Sequence, residues 1–358
     1  MKVGLIFGGR SVEHRVSIRS ARTVAAALEE AGHQVTPIAI AQDGCWLPPS
    51  AAARALRGEA DSLEAQGEAI APTLRVLLDA AAELEVVFPL VHGTWGEDGS
   101  LQGLCEMADL AYVGADVTAS AVAMDKLLTK RLLEAAGIPV VPYEVVTRLD
   151  LIHDRSETME RVRRFGFPQF IKPAVGGSSV GVSKVEDDSC VETSLALALG
   201  LDDSAIVERA MTGRELECSV IGYPALEASA VGEIRPGREF YDYADKYLED
   251  DAELLVPAQL DPEGEALIRS LAVRSFDAIG GTGMARVDFF LDGDTAWVNE
   301  INTLPGFTSI SMYPKLWAAA GVSLVDLVGR LVDEGVARHH DRVAIGREIK
   351  AFLADLER

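Results

Sequence analysis

Four side chains in the C-terminal third have the types and spacing to do chemistry: Arg286, Asp288, Glu300 and Asn302. They flank Asp292-Gly293-Asp294. Apolar and polar residues alternate on either side, in Arg286-Val287-Asp288-Phe289-Phe290-Leu291 and in Thr295-Ala296-Trp297-Val298-Asn299-Glu300-Ile301-Asn302. Alternation about an Asp-Gly turn predicts a β-hairpin. Successive strand side chains point to opposite faces, so Arg286 shares a face with Asp288, and Glu300 with Asn302. A three-residue loop sets Arg286 opposite Glu300, with Asp288 diagonal to it. Three oxygen donors and a guanidinium then converge, and burying them without a partner is costly. Hard cations such as Mg²⁺ take carboxylate and amide oxygens together with phosphate oxygens. On this stretch alone two readings stand: a Mg²⁺–phosphate site with an arginine at the reacting centre, or a solvated hairpin face.

The elements upstream bear on that choice. Pro168–Pro173 reads as a strand carrying Lys172, followed by Val175-Gly176-Gly177-Ser178-Ser179-Val180-Gly181 and a further strand, Val182–Val185. A Walker loop places its lysine after the glycines and opens a helix, so this is a different device with shared physics. Glycine N–H groups and serine hydroxyls wrap phosphate oxygens, and the strand lysine neutralises charge. A flexible turn is the alternative. Phe240-Tyr241-Asp242-Tyr243-Ala244-Asp245-Lys246-Tyr247 is aromatic, polar and aperiodic, as a loop closing over a site would be. A strand at Ala205–Arg209 carries Glu208, the connection Ala210–Glu215 ends in Glu215, and a strand resumes at Leu216–Ile221; both glutamates are expected to be exposed.

The N-terminal part begins with an apolar strand over residues 2–7, a Gly8-Gly9-Arg10-Ser11 turn, a helix from about Ser17 to Glu30 and a strand at Gln34–Ile40. This βαβ unit predicts a parallel sheet. The dinucleotide spacing G-x-G-x-x-G is missing, which counts against a nicotinamide dehydrogenase. Glu13 precedes the helix, where a carboxylate also suits the helix dipole. Residues 41–72 read as an irregular excursion with at most one short helix. The strand Leu84–Val91 ends in His92-Gly93-Thr94-Trp95-Gly96-Glu97-Asp98-Gly99, at the end of a sheet where ligands bind. A short helix at Ser100–Met107 and a short strand at Ala111–Gly114 follow. One helix is expected from Thr118 to Ala136, with Lys126 on it. Two strands, Val140–Thr147 and Pro168–Pro173, enclose a polar helix, and a helix at Asp261–Ile279 precedes the hairpin.

At 358 residues the chain has room for two or three domains. Its net charge of −23 argues against nucleic acid and anionic membrane as partners, but not against a phosphate substrate in a locally cationic cleft. The start is too short an apolar run for a signal peptide, and no apolar run reaches membrane-spanning length. Four scattered cysteines without metal-type spacing fit reduced thiols in a cytoplasmic protein.

Taken in order, these motifs resemble the D-alanine–D-alanine ligase family of the ATP-grasp superfamily. The resemblance runs from Val3 to about Val332. It rests on Gly8-Gly9 through Glu13 with Val16-Ser17, on His92-Gly93 with Gly96-Glu97-Asp98-Gly99, and on Met124-Asp125-Lys126. Lys172-Pro173, Gly177-Ser178-Ser179-Val180-Gly181, Tyr241-Asp242-Tyr243 with Lys246-Tyr247, Arg286-Val287-Asp288, and Asn299-Glu300-Ile301-Asn302-Thr303 with Pro305-Gly306 complete it. It implies an α/β fold of three domains. These are an N-terminal parallel-sheet domain (residues 1–120), a central subdomain with the glycine–serine loop (121–212), and a C-terminal subdomain with the tyrosine loop and hairpin (213–358).

The implied reaction joins two D-alanines for peptidoglycan precursor synthesis. ATP phosphorylates the first carboxylate, and the amine of the second D-alanine attacks the acylphosphate. Such steps require positioned cations. The resemblance implies two Mg²⁺ ions, or Mn²⁺, on Asp288, Glu300 and Asn302, with Glu300 bridging. It assigns the ATP phosphates to Lys126, Lys172 and Lys246 with Ser179 of the loop, and adenosine to Glu208, Met211 and Glu215. Arg286 and the Gly306 N–H serve the acylphosphate and oxyanion. Glu13 takes the first ammonium with His92 nearby, Ser178 and Tyr247 link to Glu13, and Ser311 takes the second carboxylate. A homodimer is implied.

Two positions depart from the family pattern. Arg15 stands where an acid is common, and Val175-Gly176 where polar residues are. Three alternatives remain: a D-lactate or D-serine second substrate, which Tyr247 disfavours in the case of D-lactate; a non-catalytic nucleotide-binding regulator; and the dehydrogenase.

Overall fold

The computed structural model describes residues 1–235 and 253–356. Among them twelve strands form three sheets. The first is parallel, in the order β2 (Gln34–Ile40), β1 (Lys2–Gly8), β3 (Val86–Leu90). Strands β1 and β3 are apolar and almost entirely buried, as parallel strands covered on both faces must be. The helix His14–Glu30 makes the β1-to-β2 crossover and buries Ile18, Val24 and Leu28. Gly8 holds φ at +95°, and a Cβ there would sit 2.1 Å from the Ile40 carbonyl oxygen, so the turn after β1 requires glycine.

The second sheet is antiparallel, β4 (Tyr143–Thr147), β7 (Ser204–Arg209), β5 (Gln169–Pro173), β6 (Ser183–Val185). The third runs β10 (Glu253–Leu255), β9 (Glu227–Arg235), β8 (Arg214–Gly222), β11 (Gly283–Asp292), β12 (Thr295–Asn302). The helix Pro262–Ala278 packs Ile268, Leu271 and Phe276 into the core of that sheet.

The first sheet's core is completed from the far end of the chain. Phe307, Tyr313 and Trp317 are all buried within it. Phe307 packs edge-on to Phe88 at 5.9 Å and lies 5.2 Å from the Tyr313 ring. Edge-to-face aromatic pairs add about 0.5–1.5 kcal/mol beyond their buried area. This contact fixes the loop after β12 against the first sheet. Arg338 adds a second tie: buried over the Tyr112 ring, it donates to the carbonyls of Tyr112 and Gly114.

Several local expectations are corrected. The helix expected over residues 118–136 is two, Val117–Met124 and Lys126–Ala135. Asp125 leaves the helical conformation, and its carboxylate accepts from the N–H groups of Leu127 and Leu128, capping the second. The expected strand Ala111–Gly114 reduces to one bridge, Val87 with Tyr112. The excursion holds two short helices, Pro49–Leu56 and Ile70–Thr73. Strand β4 starts at Tyr143 rather than Val140, since Pro142 precedes it, and Val140 instead bridges to Val298. The last helix among the described residues, Leu324–Leu356, has 33 residues. No helix among the described residues is long and apolar enough to cross a membrane.

Candidate functional site

The hairpin that carries the chemistry has a different register from the one expected. The loop has two residues, Gly293 and Asp294, because Asp292 pairs with Thr295. Gly293 takes φ of +57°, as such a tight turn requires. An irregularity after Asp288 leaves Asn299 as an extra residue, since Glu300 pairs with Asp288 while Val298 pairs with Phe289. Asp288 therefore sits directly opposite Glu300, and Arg286 opposite Asn302. The bulge restores a common face for all four, which a two-residue loop alone would not.

On the other side of β11, Asp288 is opposite Glu217 of β8. The Arg286 guanidinium lies between these two acids. It donates from Nε and Nη2 to the two Asp288 oxygens, each at 2.7 Å, and its Nε is 3.1 Å from Glu217. Burial works against its charge, but Asp288 and Glu217 outweigh burial and hold Arg286 well above its ordinary value.

A cavity of about 940 Å³ opens over this face. It is lined by Glu13, His92, Lys126, Lys172, Ser178, Ser179, Glu208, Met211, Glu215, Arg286, Asp288, Glu300, Asn302, Gly306 and Ser311. Fifteen of the seventeen residues singled out in the sequence thus share one cavity, drawn from segments almost 300 residues apart. The other two, Lys246 and Tyr247, lie outside the described residues.

Each wall has an identifiable cause. Lys126 opens its helix; its N–H donates to the Ala174 carbonyl and its ammonium to the Gly176 carbonyl, 3.7 Å from Glu300. It is half-buried rather than solvated. It joins the glycine–serine loop to the hairpin. Within that loop Ser178 and Ser179 take φ of +53° and +58°, and the Ser178 hydroxyl is buried without a hydrogen-bond partner among the described residues. Left-handed serines cost about 1–3 kcal/mol each and concentrate at functional loops.

Opposite this loop, His92 follows β3. Its Nδ1 is 3.0 Å from the Leu304 carbonyl and 3.6 Å from Glu97, and its Nε2 is 3.3 Å from the Ser20 hydroxyl. Burial would lower His92, but Glu97 and then Glu13 prevail and raise it above its ordinary value. Burial raises the Glu97 carboxyl against the opposing pull of His92, and Glu13 adds to the rise. The same Ser20 hydroxyl accepts from Phe307 N–H. Glu13 is the N-terminal flanking residue of its helix but makes no side-chain cap there, so capping does not account for it.

Gly306 lies beside Ser311. A Cβ on Gly306 would come within 2.7 Å of the Ser311 hydroxyl, which accepts from Thr308 N–H at 3.0 Å.

Glu208 was expected to be exposed; it is buried. Tyr143 of β4 and Phe170 of β5 flank it across the sheet, and the Lys126–Ala135 helix supplies Lys130. Its carboxylate lies between two ammoniums, Lys130 at 2.9 Å from Oε1 and Lys172 at 2.7 Å from Oε2. Burial would raise Glu208, but Lys172 and Lys130 together outweigh it and hold it below the usual carboxylate range. Burial lowers Lys130, against the opposing charge of Glu208.

Lys130 and Glu217 were missed in the sequence. Lys130 stands one helical turn after Lys126, and Glu217 alternates with Glu215 on a strand, so both had a periodicity signal. Arg15, the reversed charge, is exposed and does not line the cavity. Gly176 of the second departure does line it, and its carbonyl receives Lys126.

The cavity can therefore hold an anionic ligand between Lys126, Lys172 and the loop, next to an oxygen-rich hairpin. The donor set of Asp288, Glu300 and Asn302 suits a hard divalent cation. Among the described residues no third acid, histidine or cysteine joins these two carboxylates as a metal-holding group.

Comparison with known proteins bears on this site. Residues 2–115 match the family model described as "D-ala D-ala ligase N-terminus", and residues 132–333 match "D-ala D-ala ligase C-terminus". A D-alanine–D-alanine ligase of Solibacter usitatus is 45% identical over 344 residues, covering 96% of this chain and 97% of that protein. D-alanine–D-alanine ligase A of Salmonella typhimurium is 41% identical, covering 95% and 96%. The solved D-alanine–D-alanine ligase of Coxiella burnetii superposes with a TM-score of 0.81 at 32% identity, covering 98% of this chain and 99% of that one. The VanG D-Ala:D-Ser ligase of Enterococcus faecalis gives 0.78 at 31%, covering 93% and 99%.

Proposed function

Because the chain belongs to the D-alanine–D-alanine ligase family, we propose that it joins two D-alanines into D-alanyl-D-alanine at the expense of ATP, for peptidoglycan precursor synthesis. The observation that supports this most is the convergence of Glu13, Lys172, Arg286 and Ser311, from four distant segments, on one cavity. The chain divides near residues 120 and 212 into three units, each containing one of the sheets.

In this reading Lys126 and Lys172 hold the ATP phosphates, assisted by Lys246. Backbone N–H groups and hydroxyls of the Ser178-Ser179 loop wrap the terminal phosphate. Glu208, Met211 and Glu215 line the adenosine pocket. Glu13 takes the ammonium of the first D-alanine, and the His92–Glu97 pair fixes the wall behind it. Arg286 stands where negative charge gathers, first on the acylphosphate and then on the tetrahedral oxyanion, to which Gly306 N–H also donates. Ser311 holds the carboxylate of the second D-alanine, presenting its amine to the acyl carbon. Ser178 and Tyr247, the latter outside the described residues, are assigned the link to Glu13. Asp288, Glu300 and Asn302 would hold the two Mg²⁺ or Mn²⁺ ions, which would supply charge neutralisation at the transferring phosphoryl group. Asp288 must loosen its pair with Arg286 to serve them. The protein works in the cytoplasm as a homodimer.

Incubation with ATP, Mg²⁺ and D-alanine tests the proposal: equimolar dipeptide and phosphate are expected, and the formation of neither refutes it. The D-Ala:D-Ser ligase among the structural relatives makes D-serine the rival second substrate. Competition between D-alanine, D-serine and D-lactate decides, and dominance of either rival at neutral pH overturns the assignment.

A further inference from the structure

Lys130 takes no place among the ligand contacts above. Its side chain is 1% exposed, and it does not line the cavity. A buried ammonium requires partners, and among the described residues Lys130 has Glu208 Oε1 at 2.9 Å, the Val141 carbonyl at 3.3 Å and the face of Tyr143 at 5.5 Å. Glu208 in turn holds Lys172 through its other oxygen at 2.7 Å. Lys172 and Glu208 do reach the cavity.

The charges decide what such a chain does. Alone, Lys172 and Glu208 form a neutral pair, and the field that pair offers to a phosphate is only that of a dipole. With Lys130 behind Glu208 the three groups carry a net charge of +1, presented at the cavity by Lys172. We propose that Lys130 is a positioning residue for nucleotide binding: by neutralising Glu208 from behind, it lets Lys172 meet the phosphates as a full cation. The sheet register supports this. Lys172 pairs with Ile206 and Phe170 with Glu208, so Lys172 and Glu208 are diagonal neighbours on one face, under the helix that carries Lys126 and Lys130. Lys126 and Lys130 are four residues apart, one turn, so one reaches forward to the loop and the other back to Glu208.

The inference rests on the nucleotide reading above, and its test separates the two. Full-length protein is titrated calorimetrically with ADP and with adenosine, both without Mg²⁺. Lys130→Met should weaken ADP about tenfold and adenosine less than about twofold, because a unit charge acts on the phosphates and not on the uncharged nucleoside. The double variant Lys130→Met/Glu208→Gln removes both charges of that pair and should bring the ADP-to-adenosine affinity ratio back to the wild-type value. Lys130→Gln provides the same measurement if the methionine variant does not fold. Equal loss of ADP and adenosine, or a double variant whose ratio stays low, would reduce Lys130 to a packing role and overturn the proposal. Wild-type protein that binds neither compound overturns the nucleotide reading itself.

Discussion

Replacing Asp288 by asparagine separates the hairpin's two roles. The change keeps the shape and removes one charge. In the structure Asp288 gives both oxygens to Arg286 at 2.7 Å, and Glu217 stands 3.1 Å from the same guanidinium. Arg286 is therefore not stranded when Asp288 loses its charge. Leaving a buried charge unpaired costs about 3–5 kcal/mol, whereas weakening one charge-assisted pair costs about 1.5–3 kcal/mol. The smaller figure applies, and the thermal midpoint should fall by only a few degrees. Turnover should fall much further. If Asp288 helps hold the cations that neutralise the transferring phosphoryl group, the barrier rises by at least about 4 kcal/mol, roughly a thousandfold in rate. Phosphate release with D-alanine and ATP, set beside a thermal melt, reads both. Near-normal turnover at ordinary Mg²⁺ would refute the metal assignment. A variant that fails to fold would refute the claim that Glu217 compensates Arg286.

Two further outcomes follow from the packing around His92. A Cβ on Gly96 would lie 1.7 Å from the Val91 carbonyl oxygen, whereas one on Gly103 meets nothing within 4 Å. Gly96→Ala should therefore destabilise by about 1–3 kcal/mol or more, and Gly103→Ala, inside the helix Ser100–Met107, should stabilise by about 0.5–1 kcal/mol; thermal or denaturant melts of the two check the contrast. The second outcome concerns pH. His92 is raised above 6.5 in the folded state, so the stability it draws from Glu97 is complete below pH 6.5 and lost as pH rises through the folded value. The gap in thermal midpoint between wild type and Glu97→Gln should accordingly narrow from pH 6 to pH 9, and a gap that widens would contradict the pairing.

Local pattern was enough to read much of this protein. Period-two alternation marked β11 and β12, and the strand–glycine–helix order marked the parallel sheet, because both follow from covalent geometry and side-chain direction alone. The residue types and their order along the chain pointed to a phosphate site beside an oxygen-rich hairpin. What remained illegible depended on contacts between distant segments. The register of the hairpin turned on a single bulge at Asn299, which nothing in the alternation announces. The break at Asp125 depended on a helix end docking against Ala174 and Val175. Above all, a lone glutamate on a strand reads as a surface acid. Glu208 is buried because Lys172 and Lys130, 36 and 78 residues upstream, close on it from a neighbouring strand and an overlying helix. Burying a carboxylate is affordable only when such partners arrive, and which partners arrive is decided by tertiary packing.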